Sequence, residues 1–322
     1  MEHFEMPVSQ ENPLHTEYKH MIDVFLGEAA PYVSENDIAS VVEQAGTFEK
    51  TIYETNKDTT EKTVSYDKYK KSFFCDGKSV TKGAIVAARH LQHGIALPIS
   101  ETMSFEEKGL QKIYREKRIE DFVGEKMNVL LAQNLAEHTF KKDMFVSKAY
   151  AKIAEREKEG NSEQLGVFAE KLMFSVAEMI AIDRPDLGLR ISAANAYEDV
   201  HNKIDFIIAS KQKTRGARIE AGELEQEYKS VGIQFTINTA KQAHKAEQIE
   251  KAKERGVHVD DIVYVALESS ILVKALENWK HAGKPISGPW EYLPEETRKR
   301  ALQALFHSVL TQEQEMSLLK KV

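Results

Sequence analysis

Three strand-like segments in the second half of the chain, with one helix between the last two, constrain the fold more than any other feature. Lys203-Ile204-Asp205-Phe206-Ile207-Ile208 and Val231-Gly232-Ile233-Gln234-Phe235-Thr236-Ile237 alternate or run apolar as strands do. Side chains alternate along a strand, so Gln234 and Thr236 project from one face and Ile233, Phe235 and Ile237 from the other. Residues 239–255 then read as a lysine-rich helix closed by Gly256, and residues 261–267 as a buried strand. A helix over 165–182 and a strand over 187–195 come first, which makes the order helix, three strands, helix, strand. A helix between two strands permits a parallel crossover, so the expected class is α/β with a mixed sheet.

The first 160 residues have a different pattern. Ser34-Glu35-Asn36-Asp37 opens one amphipathic helix, and Ser104-Phe105-Glu106-Glu107 is a capping box before a long helix that reaches about His138. Between them Asp76-Gly77 is a two-residue hairpin turn, which predicts a small β element over 71–80. The charged stretch 155–162 ends on Gly160-Asn161-Ser162 and is the best boundary, giving a helical domain 1–160 and an α/β domain 161–322. Past residue 267 the chain returns to helix, is broken by the Pro/Gly-rich stretch 283–289, and ends in a helix from about Pro294 whose Leu302, Leu305, Phe306, Val309 and Leu310 pack on the core or on a partner.

Composition narrows the function classes. A chain that is 42% hydrophobic and 30% charged is an ordinary globular mixture. Net charge of −7 argues against coating nucleic acid by bulk electrostatics, while leaving room for a local basic surface. Cys75 is the sole cysteine, so neither an internal disulfide nor a thiolate zinc cluster is available. Met1-Glu2-His3-Phe4-Glu5 lacks the basic and apolar regions of a signal peptide and apolar runs are short, so the expectation is a soluble cytoplasmic protein with no membrane partner. No P-loop, Gly-x-Gly-x-x-Gly, Gly-x-Ser-x-Gly or His-Glu-x-x-His motif is present.

The order of elements, Asp205 and the Ile233-Gln234-Phe235-Thr236 strand together resemble the PD-(D/E)XK nuclease superfamily over residues 165–267, about a third of the chain. The resemblance implies a restriction-endonuclease-like mixed-sheet core (α-β-β-β-α-β), followed here by C-terminal helices, and metal-dependent hydrolysis of a phosphodiester. Asp205 matches the family's acid on the second strand, Gln234 its second acidic position and Thr236 its lysine position. Glu170 is a weaker match for the helix Glu that assists in the family. Implied metal ligands are Asp205 and Gln234, with Asp199 as an added candidate, and the implied cofactor is Mg²⁺ or Mn²⁺. Gln and Thr stand where the family pattern has an acid and a lysine, a departure that bears on activity. In this superfamily the lysine migrates onto the following helix, where Lys241 and Lys245, beside His244, are the substitutes.

Other readings of these residues stay open. Asp205 fits a strand-edge acid, Gln234 and Thr236 the polar face of a half-solvated strand, Glu170 a helix-flank acid, and the lysines of 239–255 a solvated face offset by Glu247, Glu250 and Glu254. Glu198, Asp199 and His201 lie at a turn before Asp205, where they serve either the turn or a cation. Lys211, Lys213, Arg215 and Arg218 begin an insertion over 210–230 suited to a DNA backbone, although its second half is acidic. His90 and His93 have metal-ligand spacing but fit a helix C-terminus better. A catalytically inactive scaffold of the same fold, with protein partners or a second copy of itself, is the alternative to a nuclease.

Overall fold

The computed structural model describes residues 13–54, 62–91, 95, 97, 102–139, 144–159, 165–211, 228–237 and 242–320. Helices α1 (Pro13–Leu26) and α2 (Glu35–Glu54) lead into β1 (Val64–Asp67), β2 (Ser72–Cys75) and β3 (Lys78–Val80), then α3 (Lys82–His90), α4 (Phe105–Thr139) and α5 (Met144–Glu159). The second half runs α6 (Leu165–Asp183), β4 (Leu189–Ala193), β5 (Phe206–Lys211), β6 (Tyr228–Thr236), α7 (Gln242–Glu254) and β7 (Asp261–Ala266), followed by α8 (Ser269–His281), α9 (Glu295–Phe306) and α10 (Gln312–Leu319). The class is mixed α/β, with helices before and after the larger sheet. Among the described residues no helix is long and apolar enough to cross a membrane.

Local chemistry accounts for the element ends. The capping box forms at α4, where the Glu107 N–H donates to Ser104 Oγ at 3.1 Å and the Ser104 N–H to Glu107 Oε2 at 2.8 Å. Asp76 and Gly77 both take positive φ, 50° and 75°, as a two-residue hairpin turn demands. The hairpin is wider than the sequence pattern predicts, because Val64 and Tyr66 alternate inward and β1 pairs with β2 through Tyr66 and Phe73. The expected strand over 187–195 starts at Leu189 instead: Pro185–Leu187 forms a 3-10 turn that Gly188 closes at φ 60°.

The larger sheet has the order β4-β5-β6-β7, its first two pairings antiparallel and its last parallel, with α7 as the crossover. One face carries the main core: Phe206, Ile208, Val231, Ile233, Phe235 and Val265 bury against Leu172, Met173 and Val176 of α6 and Leu302, Leu305 and Phe306 of α9. On the other face Ile204, Ile262 and Tyr264 pack against Ile249 and Ala252 of α7. Gly232 allows that second layer to close, since a Cβ there would fall 2.8 Å from the Ile204 side chain.

The two halves of the chain share buried contacts across the expected boundary. Glu178 on α6, only 2% exposed, pairs with His90 of α3 and, at 3.1 Å, with Lys117 Nζ of α4. Asn195 Nδ2 donates to Phe25 O at 2.8 Å, and the Ala196 N–H donates to Asn128 Oδ1 at 3.0 Å. His90 does end its helix, and its ring is committed to Glu178; His93 lies outside the described residues. Helix α3 lies so close to α6 that a Cβ on Gly83 would collide with the Met179 backbone, while the Gly83 N–H donates to Asp183 Oδ1 at 3.0 Å. Gly83→Ala must push two helices apart, so we expect a loss of about 1–3 kcal/mol in urea unfolding; an unchanged midpoint would show that α3 does not dock through this contact.

Candidate functional site

The end of the β5–β6 ladder gathers the polar residues that the apolar core excludes. Phe206 pairs with Ile233 at the end of the ladder, and just beyond it the Asp205 carboxylate reaches the peptide that joins Gln234 to Phe235. Asp205 lies at the bend before β5, where the pairing with β6 bulges: its N–H donates at 2.8 Å to the O of Ile233, the residue already paired with Phe206, while its carbonyl stays in register with β4 and accepts the Ala194 N–H at 3.2 Å. The Phe235 N–H donates to one Asp205 carboxylate oxygen, which fixes the side chain against β6.

Gln234 and Thr236 lie off the main core, on the face covered by α7, as the strand alternation predicts. Both are buried. Gln234 is only 5% exposed and among the described residues its Oε1 has no hydrogen-bond partner, an unusual state for a buried amide oxygen. Thr236 is engaged with the phenol of Tyr264, the cross-strand partner of Gln234.

Lys245, in the first turns of α7, donates from Nζ to Phe235 O at 3.2 Å. Its ammonium is close enough to Asp205 and Asp199 to lower the proton affinity of both. Lys241 and the side chain of His244 lie outside the described residues. Glu170, half-buried near the start of α6, and Asp199, exposed on the turn that precedes Asp205, complete an electrostatic group of three carboxylates. Burial, followed by the charges of Asp205 and Asp199, pushes the Glu170 carboxyl well above the ordinary range. Burial and then Asp199 push Asp205 up to about 7, against the pull of the Phe235 N–H, Lys245 and Lys203.

The turn 198–202 closes as one π-helical turn, and Lys203 leaves it at φ 59°. Glu198 has structural work there. It accepts the Asn195 N–H at 3.1 Å and pairs with His258 Nε2 at 2.9 Å, while the His201 ring packs on Tyr197 and Tyr150. Lys203 is the site residue that sequence reasoning missed: its Nζ donates to Val200 O at 2.6 Å, and burial, aided by the charges of Arg255 and Lys245, lowers its pKa. A lone lysine at a strand entrance carries no signal in the sequence; its left-handed backbone brings it in. Lys211 is exposed at the end of β5, and Lys213, Arg215 and Arg218 lie outside the described residues.

No three His, Cys, Asp or Glu among the described residues are arranged to hold a metal ion. The oxygen donors at this end of the sheet are one carboxylate, Asp205, and one neutral amide, Gln234, with Glu170 and Asp199 at longer electrostatic range. No family model matches this chain, and no curated protein or solved structure matches it.

The raised Asp205 carboxyl makes stability fall with pH. An unfolded Asp titrates near 4 and the folded one at about 7, so the folded state holds the extra proton between these values and loses stability as pH rises through them. Asn cannot ionise yet still accepts the Phe235 N–H. In EDTA, Asp205→Asn is expected to melt above the parent at pH 8, by about 2 °C for each kcal/mol recovered, and level with it at pH 4. An equal offset at both pH values would contradict the assignment.

Proposed function

We propose that the chain is a divergent member of the PD-(D/E)XK nuclease superfamily and hydrolyses DNA phosphodiesters with Mg²⁺ or Mn²⁺. The observation that carries this reading is the buried Gln234 Oε1, which finds no hydrogen-bond partner among the described residues and neighbours the Phe235 N–H that holds Asp205. An oxygen in that state costs about 1–3 kcal/mol, and a hard cation shared with Asp205 removes the cost. The donor set suits such an ion, because Mg²⁺ takes one or two carboxylates, prefers oxygen and keeps several waters. The α6-β4-β5-β6-α7-β7 order with a parallel last pair agrees with the superfamily core.

A cation held by Asp205 and Gln234 supplies charge neutralisation at the phosphate and a more acidic water. The chain's own groups do the rest. Asp205 is oriented by the Phe235 N–H, and Lys245, anchored on Phe235 O, brings an ammonium where the strand has Thr236. Glu170 retains its proton above the ordinary carboxylate range, which suits it to deliver that proton to a leaving oxygen. A second reading, a non-catalytic scaffold of this fold, is favoured by Thr236, whose hydroxyl is occupied by Tyr264 and brings no charge.

Cleavage of end-labelled DNA in Mn²⁺ separates the two readings: activity that Asp205→Asn abolishes supports the nuclease, and none in the parent supports the scaffold. Gln234→Leu provides a readout independent of turnover. It is expected to raise stability in EDTA by about 1 kcal/mol, since an apolar group replaces an unsatisfied one, and to abolish the rise in melting temperature that Mn²⁺ gives the parent. A cation-induced rise that survives in Gln234→Leu would remove Gln234 from the site.

A further inference from the structure

The three-stranded sheet of the N-terminal half is locally basic in an acidic chain. Residues 62–82 hold six lysines (62, 68, 70, 71, 78 and 82) against Asp67 and Asp76, while the whole chain carries −7. The acids in and beside it are turned to local work. Asp67 Oδ1 accepts the N–H groups of Tyr69 and Lys70 at 2.9 and 3.1 Å, and Glu107 Oε1 accepts the Tyr66 N–H at 3.0 Å. Glu106 engages the Tyr66 hydroxyl, and Asp76 lies 4.0 Å from Lys62. Among the described residues Lys68, Lys71, Lys78 and Lys82 form no ion pair, and all but the half-buried Lys82 are exposed.

Large aromatic rings lie among these cations. Tyr69, at the tip of the β1–β2 loop, is 87% exposed, and Phe105, which starts the helix hydrogen-bonded to β1 through Glu107, is 88% exposed. Lys68 stands 5.2 Å from the Tyr69 ring and Lys70 5.1 Å from the Phe74 ring on the outer face of the sheet. Lys71 takes φ 50° where the chain turns back into β2.

We infer that this lysine-and-tyrosine sheet is a docking surface for single-stranded nucleic acid, with Lys68, Lys70 and Lys71 on phosphates and Tyr69 stacked on a base. Alternating cation and ring match the alternation of phosphate and base along an unpaired strand, and every base offers a face for stacking regardless of sequence. A duplex hides its bases and leaves Tyr69 without a partner. The inference stands apart from the Asp205 site, because it requires no cation and no cleavage.

The test is fluorescence anisotropy of the full chain with a labelled 20-nucleotide oligothymidine in EDTA, titrated at several salt concentrations. Tyr69→Ala is expected to weaken binding roughly tenfold, and the triple variant Lys68→Glu, Lys70→Glu, Lys71→Glu to lower the salt slope by about 2, near 0.7 for each phosphate that is no longer neutralised. All four side chains are exposed, so unchanged melting temperatures verify that the variants fold. Equal affinity for a duplex of the same length, a triple variant that binds like the parent, or loss of binding only in Lys213→Glu, Arg215→Glu, Arg218→Glu would each overturn the inference. An oligonucleotide that fails to bind the parent at 50 mM salt would do so as well.

Discussion

The Phe235 N–H that donates to the Asp205 carboxylate ties the mouth of β5 to β6, and the surroundings of that bond follow from the same register. Phe206 and Ile208 bury on the α6 side, so Asp205 and Ile207 must face the other way. A slip of one residue would drive the carboxylate into the apolar core, which the burial of Phe206, Ile233 and Phe235 forbids. Parallel pairing of β6 with β7 then requires a crossover, and the crossover helix is what carries Lys245 to the same end of the sheet. The apolar face thus selects the polar one.

Two acids in this chain show how differently the fold treats a carboxylate. Burial alone would raise Glu178, but His90 and Lys117 together hold it below the ordinary range. Its charge is matched, and it joins α6 to α3 and α4 across the middle of the molecule. Asp205 is also enclosed, yet its nearest strong influence after burial is another acid, Asp199, and its pKa rises. A structural ion pair lowers the energy of the folded chain as it stands. The Asp205 group, whose charge is opposed by burial and by Asp199, raises that energy instead.

Much of the second half was legible because its information is local. Alternation in 231–237, the closing Gly256 and the apolar run 261–267 each state a strand or helix without reference to distant residues. The face of Gln234 followed from period-2 geometry. What could not be read depends on partners far along the chain. Glu198 meets His258 sixty residues later, Glu178 meets His90 and Lys117 from an earlier helical layer, and Thr236 meets Tyr264 across a parallel pair. Strand β1 escaped notice although Val64 and Tyr66 alternate, because four residues are too short a window to distinguish a strand from a loop. Nor does a sequence record whether a buried amide finds a partner, so the state of Gln234 emerged only from the packing.

Net charge weighs less against a polyanionic partner than its sign suggests. At physiological ionic strength charges are screened beyond about 8 Å, so a phosphate at the loop tip feels Lys68, Lys70 and Lys71 and little of the acidic remainder. The acids nearest the loop have already given their lone pairs to backbone N–H groups and to Tyr66. Short-range composition, rather than the total of −7, therefore decides what this surface attracts.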